Sequence, residues 1–347
     1  MEKFKIIIDA MGGDNAPEAI IDGAFDAMSA RDDFDVIFVG KEDILKELTA
    51  GKGYADRFEI VHASETIEMA ESPVQAIRTK KNSSMVVGLN LLKDKKGDGF
   101  FTAGSTGACI AGGTLIAKRI KGVERAALAP IIPTAKGPVL LIDCGANVDC
   151  RAEQLRQFGQ MGSVYMELMT GTPSPRVGLI NNGAEEEKGC ALTKEAYGLL
   201  KQTEGINFVG NIEGRDIMLG AADVVVCDGF VGNIVMKFLE GMGKAMIMML
   251  KEELMSSTRT KLGAALAKPA FKNFSKKMDY REYGGSLLLG VNGVVVKGHG
   301  SSDAKAVKNA VFQCVDFCES GVVEKITEKI ALIKESQKTD AADNTGK

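Results

Sequence analysis

This chain is poor in the residues that metal and Cys/His chemistry need: its 347 residues include only two histidines, His62 and His299, and no C-x-x-C pair. The seven cysteines (Cys109, Cys144, Cys150, Cys190, Cys227, Cys314 and Cys318) stand singly in apolar or Gly-rich stretches. That scatter argues against a zinc site and fits reduced thiols; Cys314 and Cys318, one helical turn apart, read as small core residues. Neither G-x-G-x-x-G nor G-K-[S/T] occurs in the Gly-rich loops, which excludes the dinucleotide fingerprint and the P-loop there. A formal net charge of −3 argues against a general nucleic-acid binder. No run approaches the roughly 18–20 uncharged apolar residues of a membrane span. No leader pattern precedes the first strand, so the expected location is the cytoplasm.

What is present is alternation. β-branched, apolar runs end in Gly/Asp/Asn clusters and are followed by amphipathic ones. The strand-like runs are Lys3 to Ile8, Asp35 to Gly40, Phe58 to His62, Gly99 to Thr102, Pro138 to Asp143, Arg176 to Ile180, Asn207 to Gly210 and Val224 to Cys227. Helical patterns between them include Ser84 to Lys93, Thr106 to Arg119, Ala152 to Thr170, Leu192 to Lys201 and Val231 to Leu254. This predicts an α/β fold, a largely parallel sheet with helices on both faces. Asn292-Gly293 between Ser286 to Leu289 and Val294 to Lys297 predicts a hairpin. Residues 1–335 are expected to form one domain and the polar tail 336–347 to be disordered.

The strand ends share one chemical style. Asp9-Ala-Met-Gly-Gly-Asp-Asn-Ala-Pro17 follows the first strand, where Gly12 and Gly13 let backbone approach a ligand beside Asp9 and Asp14. Thr102-Ala-Gly-Ser-Thr-Gly-Ala108 opens a helix. Gly104 and Gly107 free the backbone there, Ser105 and Thr106 add hydroxyls, and unpaired N–H groups suit phosphate. Asp143-Cys-Gly-Ala-Asn-Val-Asp149 brings Asn147 and Asp149, and Asn181 to Gly189 brings Lys188. Gly210-Asn-Ile-Glu-Gly-Arg-Asp216 brings Glu213 and Arg215, and Val224 to Asn233 brings Asp228 and Asn233. Each alone reads equally as a turn with a capped helix; together, at strand termini, they imply one polar crevice.

One segment departs from this texture. Between Leu254 and Met278 stand Arg259, Lys261, Lys268, Lys272, Lys276 and Lys277 with no Asp or Glu, interleaved with Leu262, Leu266, Phe271 and Phe274. Met-rich sequence precedes it. We expect a projecting helical element over about residues 238–282, meeting anionic lipid, an acidic protein partner, or a dimer or core contact.

Taken in order, the strings D-A-M-G-G-D, D-x-G-A-N, N-x-G-x-E-x-x-K-G, G-N-x-E-G-R-D and V-x-C-D-G-F-x-G-N closely resemble the acyl-carrier-protein:phosphate acyltransferases of bacterial phospholipid synthesis, over roughly Ile8 to Asn233. The resemblance implies a three-layer αβα fold similar to the phosphotransacetylase and isocitrate/isopropylmalate dehydrogenase group, and a homodimer. It implies transfer of a fatty acyl group from acyl carrier protein to inorganic phosphate, with no cofactor. A membrane glycerol-3-phosphate acyltransferase would consume the acyl phosphate, and the chain would sit peripherally at the inner face of the cell membrane.

Such chemistry needs positioning and charge, because a thioester is already activated and phosphate is already nucleophilic. Phosphate is assigned to Gly104–Gly107 with Lys188 supplying charge, and Asn147 or Asn233 faces the carbonyl oxygen. Asp9, Asp14, Asp149 and Asp228 orient donors. An acyl-cysteine route through Cys109, Cys144, Cys150, Cys190 or Cys227 would need a histidine base that no recognisable signature supplies. A short acyl-CoA phosphotransacetylase and a non-catalytic lipid or carrier-protein module are the alternatives.

Overall fold

The computed structural model describes residues 3–278, 282 and 284–332. Phe4–Asp9 forms β1, whose Ile6, Ile7 and Ile8 are all fully buried, as a strand covered on both faces requires. Glu18–Ala30 (α1), Phe34–Gly40 (β2), Glu42–Thr49 (α2), Phe58–His62 (β3), Pro73–Thr79 (α3), Ser84–Lys93 (α4) and Gly99–Thr102 (β4) follow. Thr106–Gly112 (α5) then loosens into a π-helical turn over Gly113–Ala117. The sequence pattern predicts one helix to Arg119; instead it gives way where Leu288 packs closely over Gly113.

Next come Ala127–Ala129 (β5), Ile131–Thr134 (β6), Gly137–Ile142 (β7), Ala152–Thr170 (α6), Arg176–Asn181 (β8), Ala191–Lys201 (α7), Asn207–Glu213 (β9), Gly214–Ile217 (α8) and Val224–Val226 (β10). Gly229–Leu254 (α9) and Thr258–Met278 (α10) pack on each other, Ser286–Leu289 (β11) and Val294–Lys297 (β12) make the hairpin, and Ala304–Ser320 (α11) precedes a last helix over 322–332. The tail expected over 336–347 lies outside the described residues.

The α/β class and the mostly parallel pairing are as the sequence implies, but the strands divide between two sheets. The first has seven strands in the order β3-β2-β1-β4-β12-β11-β5, and the second has five in the order β6-β7-β10-β8-β9. One apolar cluster runs between them, from Ile6, Phe101 and Val296 through α6 and α11 to Leu140, Val177 and Val224. Tyr165 on α6 and Phe317 on α11 join it with ring centroids 5.5 Å apart.

β5 and β6 link the sheets directly. Ala129 is in register with Leu287, Leu287 with Val296, and Val296 with Phe101, so β5 ends at the carboxyl edge of the first sheet. Pro130 turns the chain into β6, which pairs antiparallel with β7. The Leu141 N–H donates to Pro130 O at 3.1 Å, and Leu128 N–H donates to Asp143 Oδ1 at 2.9 Å. The carboxyl ends of β5 and β7 therefore meet here.

α9 and α10 differ from every sheet-covering helix. Of the 26 residues of α9, only Gly229 and Gly232 are buried, and Phe238, Met248 and Met249 are each more than 60% exposed. No helix among the described residues is long and apolar enough to cross a membrane.

Candidate active site

The sequence candidates gather in two groups, one at the carboxyl edge of each sheet. In the first, Asp9 closes β1 and is fully buried. Its Oδ2 accepts from the Thr102 hydroxyl at 2.7 Å and its Oδ1 from Met11 N–H at 3.3 Å. Burial raises its carboxyl above the usual range, opposed by the Ser84 and Thr102 hydroxyls. A Cβ on Gly12 would stand 2.5 Å from Asp9 Oδ2 and 2.8 Å from Gly104 N, so only glycine lets these two loops touch. Gly13 leads into Asp14, whose N–H donates to Gly300 O at 2.8 Å.

Gly104 N–H is taken by the Thr102 hydroxyl at 3.0 Å, and the Ser105 hydroxyl caps α5 by accepting from Ala108 N–H at 3.4 Å. The N–H groups of Ser105, Thr106 and Gly107 find no acceptor among the described residues, as expected at a helix start.

Lys297 belongs to this group and was missed by the sequence reading, which took it only as a strand end. Its signal was there: a lysine closing the apolar run Val294 to Val296, in register with Thr102. Its Nζ is buried and donates to Ala103 O at 3.3 Å and to Gly298 O, facing Asp9, Asp14 and Cys109. Burial pushes its ammonium down to about 8. The unfolded chain, with an ordinary lysine near 10.4, binds the extra proton between these values, so stability rises with pH across that window. We expect the native chain to gain about 2 kcal/mol from pH 7.5 to 10 relative to Lys297→Met, by urea unfolding. Parallel pH profiles for the two proteins would show that the burial carries no such cost.

The second group surrounds the amino end of α9. Asp143 is buried; Oδ1 accepts from Leu128 and Ala146 N–H, and Oδ2 from Asn147 N–H at 2.7 Å. Burial raises its carboxyl, with those donors opposing. Both Asn147 Nδ2 hydrogens are committed, to Ala126 O at 2.7 Å and Asp143 Oδ2 at 2.9 Å. Of the two carbonyl-facing candidates, Asn147 and Asn233, it is Asn147 whose amide hydrogens are spent on building the loop.

Asp228 caps α9, accepting from Val231 N–H at 2.8 Å. A Cβ on Gly232 would fall 1.8 Å from Asp143 O, so glycine alone allows the helix to seat on this loop. Asn233 then lies over Gly145, 3.7 Å from where a Cβ would stand, half-buried and with no side-chain hydrogen bond among the described residues.

Asn181 Nδ2 holds Lys188 O at 3.1 Å, and the exposed Lys188 side chain lies along Gly183 with no ion pair among the described residues. Glu213 and Arg215 pair with each other at the start of α8, with Glu213 level with Asn181 across the strands. Asp149 is exposed on the Asp143–Asp149 turn.

Among the thiols, burial pushes Cys109 and Cys150 up to about 12 and raises Cys144 and Cys227 as well. Cys190 is exposed and lowered, chiefly by the Thr193 N–H. His62 is spent as an acceptor for Glu42 N–H at the start of α2. The residues of the basic segment sit on α10, outside both groups: Leu262 and Leu266 are exposed with Arg259, Lys261, Lys268 and Lys272, and Phe271 is half-buried.

Solved structures place the fold. A phosphotransacetylase from Streptococcus pyogenes superposes with a TM-score of 0.59 at 15% identity, covering 93% of this chain and 94% of that one. The EutD phosphotransacetylase from Staphylococcus aureus gives 0.57 at 18%, covering 91% and 94%. The family follows from sequence. The fatty acid synthesis protein family matches residues 4–325. A phosphate acyltransferase of Clostridium tetani is 48% identical over 95% of this chain and 99% of its own length; one of Clostridium botulinum (strain Loch Maree / Type A3) is 50% identical over the same shares. The chain belongs to this phosphate acyltransferase family, and it is an enzyme, a transferase.

Proposed function

We propose that the chain transfers a fatty acyl group from acyl carrier protein to inorganic phosphate. A phosphate oxygen bonds to the thioester carbonyl carbon, the C–S bond breaks, and the carrier's sulfur leaves and takes up a proton. The observation that supports this reading is that a loop offering unpaired amides, Ser105 to Gly107, ends a strand of the first sheet, while the uncommitted amide of Asn233 stands over the loop that ends β7, where β5 meets it. Phosphate occupies the Gly104–Gly107 loop, Lys188 adds charge from the second sheet, and Asn233 donates to the developing oxyanion. Asp9, Asp14, Asp143, Asp149 and Asp228 hold donors and loops. Direct attack is favoured over an acyl-cysteine, because only Cys190 is both exposed and lowered and it has no histidine beside it.

Incubating the protein with phosphate and either acyl carrier protein thioester or acyl-CoA, and following free thiol, tests the reading. Thiol release should need both phosphate and the carrier thioester. Equal use of acyl-CoA would favour the phosphotransacetylase alternative. Release from neither donor would leave a non-catalytic binding module. Acyl-protein trapped on Cys190 would replace the direct mechanism.

The exposed α9–α10 pair supports two further parts of the proposal, a homodimer contact and a peripheral membrane contact near the enzyme that consumes acyl phosphate. Large exposed apolar patches mark interaction sites. Lys and Arg beside anionic headgroups contribute about 1 kcal/mol each. Changing Leu262, Leu266 and Phe271 together to Ser should abolish binding to anionic vesicles while activity on soluble carrier thioester persists. Lost activity with retained vesicle binding would make α10 a carrier dock.

A further inference from the structure

We infer that the groove along α9 holds the fatty acyl chain, with Gly243 setting how long a chain it admits; this rests on the reaction proposed above. On α9, Asn233, Met236, Glu240, Gly243 and Ile247 recur at helical spacing, so the face that starts at the proposed oxyanion donor continues down the helix. From one turn beyond Asn233, Met236, Glu240, Gly243 and Ile247 of this face, with Leu239, Ile132 and Met218, line a cavity of about 720 Å³. Its size and mainly apolar walls suit a single elongated ligand.

The loop after Lys297 and the start of α11 add Ser301, Asp303 and Lys305 to the lining, and α10 adds Lys272 and Asn273. Lys305 is tied to Glu282 at 2.6 Å, and Ser301 O accepts from Asn15 Nδ2 at 3.2 Å. The lining thus draws on α9, which begins in the second loop group, and on the loop whose Gly300 and Ser301 hold the first. From Asn233 to Ile247 the helix runs about 21 Å, the reach of an extended long-chain acyl group.

Gly243 is half-buried in this wall, and a Cβ there would meet nothing within 4 Å. A glycine inside a helix gives up helix propensity and leaves open space. That open space is where a long chain would pass, so a side chain at this position closes the far end of the groove. Met236 and Leu239, nearer the carbonyl, would still line it for a short chain.

The test is Gly243→Phe, with Gly243→Ala as the milder variant in case the larger one does not fold. Steady-state kinetics on octanoyl and palmitoyl carrier thioesters should show kcat/KM turning toward octanoyl by about tenfold or more for Phe, and less for Ala. Titration with palmitate alone reads the groove without the reaction, and Gly243→Phe should weaken it by a similar factor. An unchanged octanoyl-to-palmitoyl ratio together with unchanged palmitate binding overturns the inference. So does a variant that only changes oligomeric mass, which would give the groove to a second copy of the chain. If the unmodified protein turns over neither thioester yet binds palmitate through Gly243, the reaction fails and the groove stands.

Discussion

Replacing Asn233 by Ala should lower kcat by about 10²–10³-fold, the usual effect of removing one oxyanion donor. The loss should fall on kcat more than on KM, because the carbonyl oxygen gains charge only in the transition state. Folding should be untouched. Asn233 makes no side-chain hydrogen bond among the described residues, and the cap of α9 comes from Asp228, not from Asn233. Asn233→Asp should be at least as damaging, since a carboxylate would face both the oxyanion and the phosphate. Kinetics on carrier thioester with a melting curve for each variant check this. A loss of less than about threefold in Asn233→Ala would remove Asn233 from the reaction.

Lys188→Ala should cost about a hundredfold in kcat/KM for phosphate, with thermal stability within the small range of exposed substitutions. The argument is one of charge. Lys188 is exposed and unpaired among the described residues, and its backbone is fixed through Asn181, so its ammonium can be given wholly to an anion. Other cations near the loops are engaged: Arg215 with Glu213, and Lys297 with two carbonyl oxygens. Lys188→Arg should retain part of the activity, keeping charge while changing its geometry. Measuring rate against phosphate concentration separates binding from turnover. Near-normal rates for Lys188→Ala at both limiting and saturating phosphate would end the assignment.

Much of the fold was legible because its strands are local signals. Phe58–His62, Gly99–Thr102 and the β11–β12 hairpin stand where apolar runs and Asn292-Gly293 placed them. β5 and β6 were not legible. They are short, Pro133 interrupts β6, and β6 is tolerated only because it lies at a sheet edge, where a missing N–H costs no ladder bond. Without them the division into two sheets could not be seen. The polar strand ends were legible as a set, but their commitments were not. Asn147 and Asn233 look alike in sequence; only packing shows that Ala126 and Asp143 consume one and leave the other free. Lys297 hid for the opposite reason, since a lysine after three valines reads as a solvent-facing strand end until its burial is known.

The passage through Pro130 also says where this chain can change length. An extra residue between Ala129 and Ile131 would turn β6 over, sending Ile132 out of the core that it shares with Val139 and Leu141. It would also move Leu128 away from Asp143, parting the carboxyl ends of β5 and β7. The turn at 255–257 carries no such constraint, because it joins two helices that lie outside both sheets. Insertions and deletions should therefore collect at the tip of the helical pair and be purged at the crossing, which makes Pro130 the fixed ruler of the molecule.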